Sequence, residues 1–313
     1  MPSLLDWQLY NSYSKRQKAI KIHYMTLLDY FSETFDSLED SALKDLMAHV
    51  DAFSFDKEDL NDETDLTAKV AVGDHISTSA FLEAFVKHKL SNVVQTSNDD
   101  LPYELFIASI ILKKPRLFLN NPLTILNSQD SSASAMRVWQ ENFNCTEHKE
   151  RVLESIHKFI GRNKSMNRLS DNILIIIDEL FSNALFNAPV DENGYRIFKN
   201  MQRNEKVRYP GNKNAKIFAV HTSNDLFIGA VDPWGSIDRD AICNSIWRAY
   251  NEGTVTEDSK GAGFGLRMML DRSRSLYLLC EAGKRSLICC HMRLNISLKK
   301  VENVPKQFHI NCF

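Results

Sequence analysis

The sequence predicts an α/β domain over residues 1–130 followed by an α+β two-layer sandwich over residues 146–313. Three observations support this. At 313 residues the chain exceeds what one minimal core organises, so two domains are the natural division. Residues 69–112 alternate strand-like and helix-like patterns. Residues 146–296 instead run helix, helix, hairpin, helix, loop, helix, hairpin, the order of a mixed sheet with helices over one face. Between the two, residues 115–134 contain two prolines and close on a Ser- and Asn-rich stretch, which reads as a linker.

The elements follow in order. Residues 17–50 read as helix, because Ile20, Tyr24, Leu27, Leu28 and Phe31 recur at near-helical spacing. Residues 56–65 are acidic and polar, a loop. Residues 69–72 and 92–95 are short apolar strands, and residues 79–88 and 101–112 are amphipathic helices, the second with Pro102 in its first turn, where a missing N–H does no harm. In the second half, residues 146–160 form a helix with Val152, Ile156, Phe159 and Ile160 as its apolar stripe. A strongly apolar helix covers residues 168–187. Strands at 215–221 and 226–232 are joined by Thr-Ser-Asn-Asp, a hairpin signal. Residues 237–250 are helical, residues 251–260 a polar loop and residues 265–273 a helix. Strands at 276–281 and 286–294 close on Ala-Gly-Lys.

Composition excludes several function classes. A hydrophobic content of 43% with 25% charged residues is ordinary for a globular protein. The formal net charge of −2 offers no basic excess for a polyanion, so nucleic acid is not an expected partner. The six cysteines show no CxxC spacing and no grouping with histidine, so the reading is reduced, apolar-packed thiols and not a zinc site. No signal-peptide pattern opens the chain, and the longest apolar run, Ile173 to Ile177, is far below the roughly 20 residues that span a bilayer. A cytoplasmic protein without a membrane partner is the expectation.

Three segments bear chemistry. In the helix over residues 171–187, Glu179, Asn183 and Asn187 recur at i, i+4 and i+8, which sets one carboxylate and two amides along a single ridge. Asn is a poor helix former at an exposed position, so a merely solvated ridge would more usually be Lys- and Glu-rich. An amide oxygen suits Mg²⁺, and a neighbouring carboxylate can orient or deprotonate a nucleophile. The second segment is Val231-Asp232-Pro-Trp-Gly235, an acid ending an apolar strand. Asp232 could accept a hydrogen bond from an exocyclic amine, and Gly235 would permit close backbone approach; alone, the segment reads equally as a turn. The third is Lys260-Gly-Ala-Gly-Phe-Gly-Leu266. Gly261, Gly263 and Gly265 lead into a helix, where successive N–H groups and the positive helix end make an anion cradle. It is neither a Walker A loop nor a good Rossmann fingerprint, since a polar loop and not a buried strand precedes it.

Taken together, Glu-x-x-x-Asn, then Asp-x-x-Gly, then Gly-x-Gly-x-Gly-Leu resembles the N, G1 and G2 boxes of the GHKL ATPase superfamily over about residues 146–296. The middle box departs from the commoner Asp-x-Gly-x-Gly form. The resemblance implies the histidine-kinase-like (Bergerat) sandwich and the cofactors ATP and Mg²⁺. It implies that Asn183 ligates Mg²⁺, that Glu179 is the catalytic base or positions the attacking group, and that Asp232 receives the adenine amine. Asn187, Gly235 and Leu266 complete the ATP site, Gly261, Gly263 and Gly265 fold over the phosphates, and Lys260, in a lid over residues 251–260, reaches a phosphate.

Within that superfamily, His148 lacks the Ser-His-Glu-Leu-Arg-Thr-Pro context of a histidine-kinase phosphoacceptor, and His-Gly-Gly is missing after the third box. The chain is more similar to the compact anti-sigma-factor serine kinases. That similarity implies a bacterial signalling role and a protein partner such as a sigma factor, an anti-anti-sigma-type protein or another signalling protein. A homodimer and a non-catalytic partner-binding module are both compatible with the residues. Residues 69–112 are similar in order to the last third of a receiver domain, but no acidic pair ends an opening strand and Gln95 stands near where a receiver has lysine. A pseudo-receiver with an interaction role is the expectation there. One geometric requirement follows: Glu179, Asp232 and Gly263 should line one pocket.

Overall fold

In a computed structural model, residues 25–26, 50–54, 69–74, 76–95, 101–120, 122, 137–222, 224–251, 262–295 and 304–313 are described. Their core element is one mixed sheet of ten strands. In chain order these are β1 (Met25–Thr26), β2 (Asp51–Ser54), β3 (Val70–Gly73), β4 (Asn92–Gln95), β5 (Arg137–Phe143), β6 (Ala215–His221), β7 (Asp225–Asp232), β8 (Ser275–Glu281), β9 (Arg285–Arg293) and β10 (Gln307–Cys312). Across the sheet the order is β1-β2-β3-β4-β10-β8-β9-β7-β6-β5. β2, β3 and β4 run parallel, as strands joined by crossovers must, while β8, β9, β7, β6 and β5 form antiparallel neighbours. β10 joins the two sets, antiparallel to β4 and parallel to β8.

Helices cover both faces. They are α1 (Thr78–Lys87), α2 (Leu101–Lys113), α3 (Pro115–Asn120), α4 (His148–Ile160), α5 (Lys164–Arg168), α6 (Ser170–Ser182), α7 (Arg239–Asn251) and α8 (Ala262–Arg272), with a π-turn, Asn183–Asn187, continuing α6. On one face Ile173, Ile176, Ile177 and Leu180 of α6 bury against alternate residues of β7 and β8, among them Ile228, Ala230, Leu276 and Leu278. Their 3-1-3 spacing is the stripe that a helix needs to face a sheet, and burial overrides the weak helix propensity of β-branched Ile. α1 joins the same layer through Phe81 and Phe85, which stack around Phe308 of β10. The opposite residues of β6 to β9, Phe218, Phe227, Tyr277, Leu279 and Leu287, bury against Ile107, Ile111 and Phe118 of α2 and α3. The second half alone is thus a sheet with one helical layer, and α2 and α3 supply the other cover.

Local chemistry sets the boundaries. Ser77 Oγ caps α1 by accepting the Ala80 N–H at 3.2 Å, and Asn163 Oδ1 caps α5 by accepting those of Ser165 and Met166. Gly283, at φ 70°, turns the β8–β9 hairpin. Arg239 ties α7 to the first half by donating to the carbonyls of Phe85 (3.2 Å) and Leu90 (2.6 Å).

Three expectations change. Met25 and Thr26, within the helix expected over residues 17–50, are extended and pair with Ala52 and Asp51; the rest of that stretch up to residue 49 and the loop at 56–65 lie outside the described residues. The expected linker begins as a helix, α3, because Pro115 sits at its first position, where its fixed φ and missing N–H are compatible with helix. Phe118 and Leu119 then anchor α3 beneath the sheet. β2, β5 and β10 are additional strands. Among the described residues no helix is long and apolar enough to cross a membrane.

Candidate functional site

The helix that carries Glu179 and Asn183 changes pitch at Asn183. From there to Asn187 the hydrogen bonds run i to i+5, as in Ala188 N–H to the Asn183 carbonyl at 3.0 Å. A widened turn takes carbonyls off the regular ladder, and remote side chains take them up: Tyr209 Oη donates to Ala184 O at 2.5 Å, Ser236 Oγ to Ala188 O at 2.6 Å, and Arg196 to Asn187 O. Five residues therefore hold a conformation that their own sequence does not dictate, and π-turns of this kind are frequent at functional sites.

The turn delivers two amides to one pocket. It is lined by Asn183, Asn187, Arg196, Asp232, Ser236 and Leu266, with Ala184, Ala230, Ile237, Ile242 and Ile288 among its apolar walls. Asn187 Nδ2 donates to Asn183 Oδ1 at 2.8 Å, while Asn183 Nδ2 is buried without a hydrogen-bond partner. Asp232, at the end of β7, is buried and accepts the Trp234 N–H at 2.9 Å. Burial pushes its carboxyl up to about 6, against the pull of the Trp234 and Gly235 N–H groups, the Ser286 hydroxyl and the Arg196 charge. A carboxylate next to an orphan amide donor, on apolar walls, presents both an acceptor and a donor to a flat polar edge. The free space is about 70 Å³, well below the roughly 300–1,000 Å³ of a pocket that engulfs a ligand.

No protein-family model matches this chain, and a comparison with curated proteins finds no match either.

The other expected residues are placed as follows. Glu179 does not line that pocket. Its side chain, 6% exposed, borders a neighbouring groove of about 740 Å³ with Leu153, Leu174, Ile175 and Met268 between α4, α6 and α8. There Arg203 grips it from a loop, Nη1 to Oε1 at 2.7 Å and Nη2 to Oε2 at 3.1 Å. Helical phase is not the cause of the split: the Asn183 N–H still donates to the Glu179 carbonyl and the two amides stay bonded, but Arg203 holds the Glu179 carboxylate on the groove side.

Gly263 and Gly265 lie inside α8, not in a loop ahead of it. Both are spaces that neighbours fill: a Cβ at Gly263 would strike the Ser245 backbone, its carbonyl carbon at 2.7 Å, and one at Gly265 would strike the Glu179 carboxylate. Of the three residues expected to share one pocket, Asp232 lines this pocket, Glu179 borders the groove, and Gly263 packs against Ser245. Gly265 connects the groove to the pocket through its next neighbour, Leu266. Gly235, at φ 61°, does permit close approach, but to the β8–β9 turn: a Cβ there would lie 2.6 Å from Lys284 N and 2.8 Å from Arg285 N. Lys260 and Gly261, with residues 252–259 of the expected lid, lie outside the described residues.

Arg203, Arg196, Tyr209 and Trp234 were not singled out by sequence. Trp234 is held between Tyr209, edge-on at 5.6 Å, and the Lys213 ammonium 3.6 Å above its ring. The only signal for this cluster was an aromatic beside Asp-Pro.

Proposed function

We propose that the Asn183–Asp232 pocket is a Mg·ATP site and that the chain is a signalling regulator, a protein serine/threonine kinase of the anti-sigma-factor type acting on a protein partner. The observation that carries this reading is the meeting of the two amides of a π-turn with the buried Asp232 and with Leu266 of α8, residues drawn from all three motif segments. Asp232 would accept the exocyclic amine of adenine. Asn183 would hold Mg²⁺ through its amide oxygen, a hard donor of the kind that accompanies phosphates and water around this ion. Its unpaired Nδ2 fits that assignment, being a donor for which a ligand oxygen supplies the missing acceptor. Bound Mg²⁺ would neutralise charge on the phosphates. With about 70 Å³ of free space, only the edge of a base fits as the walls stand. The sugar and phosphates would occupy the mouth, and binding would widen it.

Calorimetric titration with Mg·ATP tests this directly. Heat with micromolar affinity in the wild type, reduced in Asn183→Ala and in Asp232→Ala, is the expected result. No heat at millimolar nucleotide would remove the proposal. Transfer of radiolabel from ATP to a serine or threonine of a partner would then establish the kinase; label on His148 would redirect it to histidine phosphorylation.

A second reading, a nucleotide-responsive module without catalysis, is favoured by one observation. The proposed base, Glu179, lies in the adjoining groove with both oxygens taken by Arg203. ATP binding without turnover, in both the wild type and Glu179→Ala, would decide for it.

A further inference from the structure

A row of four side chains crosses the sheet on its α6–α8 face. Strand register pairs Cys312 of β10 with Cys280 of β8, Cys280 with Ser286 of β9, and Ser286 with Asp232 of β7. Directly paired residues of neighbouring strands put their side chains on the same face, so the row is continuous from the exposed Cys312 to the pocket carboxylate. Both cysteines are free thiols. β8 and β10 are parallel neighbours, and the strand spacing of about 4.7–4.9 Å falls within the roughly 4.4–6.8 Å between Cα atoms that a disulfide spans. The ends of the two strands are also locked in register: Phe313 N–H donates to the Cys280 carbonyl at 2.9 Å and Ala282 N–H to the Phe313 carbonyl at 3.0 Å.

We propose that Cys280 and Cys312 are a reversible redox pair, closed into an intrachain disulfide between β8 and β10 by exchange with a low-molecular-weight disulfide. The exchange balances in two steps. The Cys312 thiol passes its proton to the Cys280 thiolate and attacks one sulfur of the small disulfide, forming a mixed disulfide and expelling one small thiolate, which then takes up that proton from Cys280. The Cys280 thiolate then attacks Cys312 Sγ, closing the protein disulfide and expelling the second small thiolate. The proton of Cys312 and the one that Cys280 gave up on ionising end on the two small thiols, and the small disulfide is reduced as the dithiol is oxidised.

The surroundings suit these roles. Cys312 is the exposed member and can meet a bulky oxidant, whereas Cys280 is buried beneath the pairing with Ser286 and Cys312. The two thiols act on each other: Cys312 holds Cys280 below the ordinary thiol value, and Cys280 pushes Cys312 up, while Cys312 Sγ also lies 3.8 Å from the Ile237 carbonyl. Ser286 Oγ, 3.9 Å from Cys280 Sγ, adds a second donor. The other four cysteines are buried, out of reach of a bulky oxidant, and burial pushes the thiols of Cys145, Cys243, Cys289 and Cys290 up.

The test is peptide mapping of the folded full chain under non-reducing conditions, after exposure to oxidised glutathione and alkylation of remaining thiols. One cross-linked peptide pair joining Cys280 to Cys312, cleaved again by dithiothreitol, is expected. Cys312→Ser, a change at an exposed position, should abolish it and leave Cys280 unoxidised. A stable glutathione adduct on Cys312 beside a reduced Cys280, a bond from Cys312 to the nearby Cys243, or both thiols still free would each overturn the proposal. None of these outcomes depends on whether the pocket binds nucleotide.

Discussion

Arg203 holds Glu179 by two parallel hydrogen bonds, so that a carboxylate buried beside an apolar groove has its charge matched by a partly exposed guanidinium. The fork geometry makes this stronger than a point-charge pair, and the bond raises the guanidinium pKa further above its ordinary value. Removing the arginine leaves a buried charge without its partner. Arg203→Ala should cost about 1–3 kcal/mol, measured as a shift of the urea midpoint at constant slope. Pairing it with Glu179→Gln should restore part of the loss, because an amide needs no counter-ion. Equal loss in the single and double variants would mean that the pair contributes nothing.

The two glycines of α8 should fail differently. At Gly263 an added methyl meets backbone of Ser245, so Gly263→Ala must push α7 from α8 and should lower stability by about 1–3 kcal/mol. At Gly265 it meets the tip of the Glu179 side chain. Gly265→Ala should therefore displace Glu179 from Arg203 at a smaller cost in stability. Combining Gly265→Ala with Arg203→Ala in a denaturation cycle should give less than the sum of the two losses, and additive losses would sever the link.

Asp232 sets a pH signature. Its carboxyl is raised to about 6 by burial. A raised carboxyl favours folding while neutral, so its contribution is fully present below the ordinary value of about 3.9 and is lost as pH rises through 6. Ligand binding should show the reverse trend. A ligand that donates an N–H to the ionised oxygen should bind more tightly as pH climbs from 5 to 7, and Asp232→Asn should flatten the profile. Calorimetry of Mg·ATP across that range is the measurement.

On the opposite face a buried cluster links the two halves of the chain. Glu104 of α2 accepts from Ser275 Oγ at 2.5 Å and Tyr277 Oη at 3.0 Å and pairs with His291, which meets Asp225 at 2.8 Å on its other nitrogen. Burial alone would raise the Glu104 carboxyl, yet the hydrogen bond to His291 and the nearby His309 ring, Nε2 at 3.7 Å, hold it well below the usual range. Burial would likewise lower His291, but bonds to Asp225 and Glu104 hold it above its ordinary value. The sign differs for each group. The Glu104 contribution is present above the ordinary glutamate value and lost as pH falls through its depressed value. The His291 contribution is complete below the ordinary histidine value and lost as pH rises through its raised value. The stability that this cluster contributes should therefore be level around pH 4.5 to 6.5, on top of the fall that Asp232 causes up to 6. His291→Ala, which leaves two buried carboxylates facing a gap, should cost about 3–5 kcal/mol by denaturant unfolding.

Much of the second half was legible because its elements obey their periods. The 3-1-3 spacing of Ile173, Ile176, Ile177 and Leu180 and the two hairpin turns place α6 and β6 to β9 within a residue or two. β10 carries a signal that the sequence reading does not use: Phe308, Ile310 and Cys312 alternate with Gln307, His309 and Asn311. Those polar groups are matched only from a distance, as when His309 meets Asn92 at 3.1 Å and Asn311 donates to Ile111 O at 2.6 Å. The π-turn was not legible. Asn183 to Asn187 continues an unbroken helical pattern, and what widens it are acceptances from Tyr209, Ser236 and Arg196, none within eight residues. Helical spacing groups Glu179 with the amides, whereas Arg203, 24 residues away in sequence, holds its carboxylate toward the groove.

The central position of β10 bears on how the chain comes to be folded. The latest described strand to leave the ribosome is not an edge strand but the seam between β4 and β8. Until residues 307–312 emerge, a parallel sheet from the first half and a meander from the second can each form, but each has an open edge of unpaired N–H and C=O groups. Pairings so remote in sequence form slowly, and open edges invite association with neighbouring chains. A nascent or truncated chain lacking those six residues should therefore depend on chaperones and aggregate through β4 and β8, although every residue of the pocket has already been made.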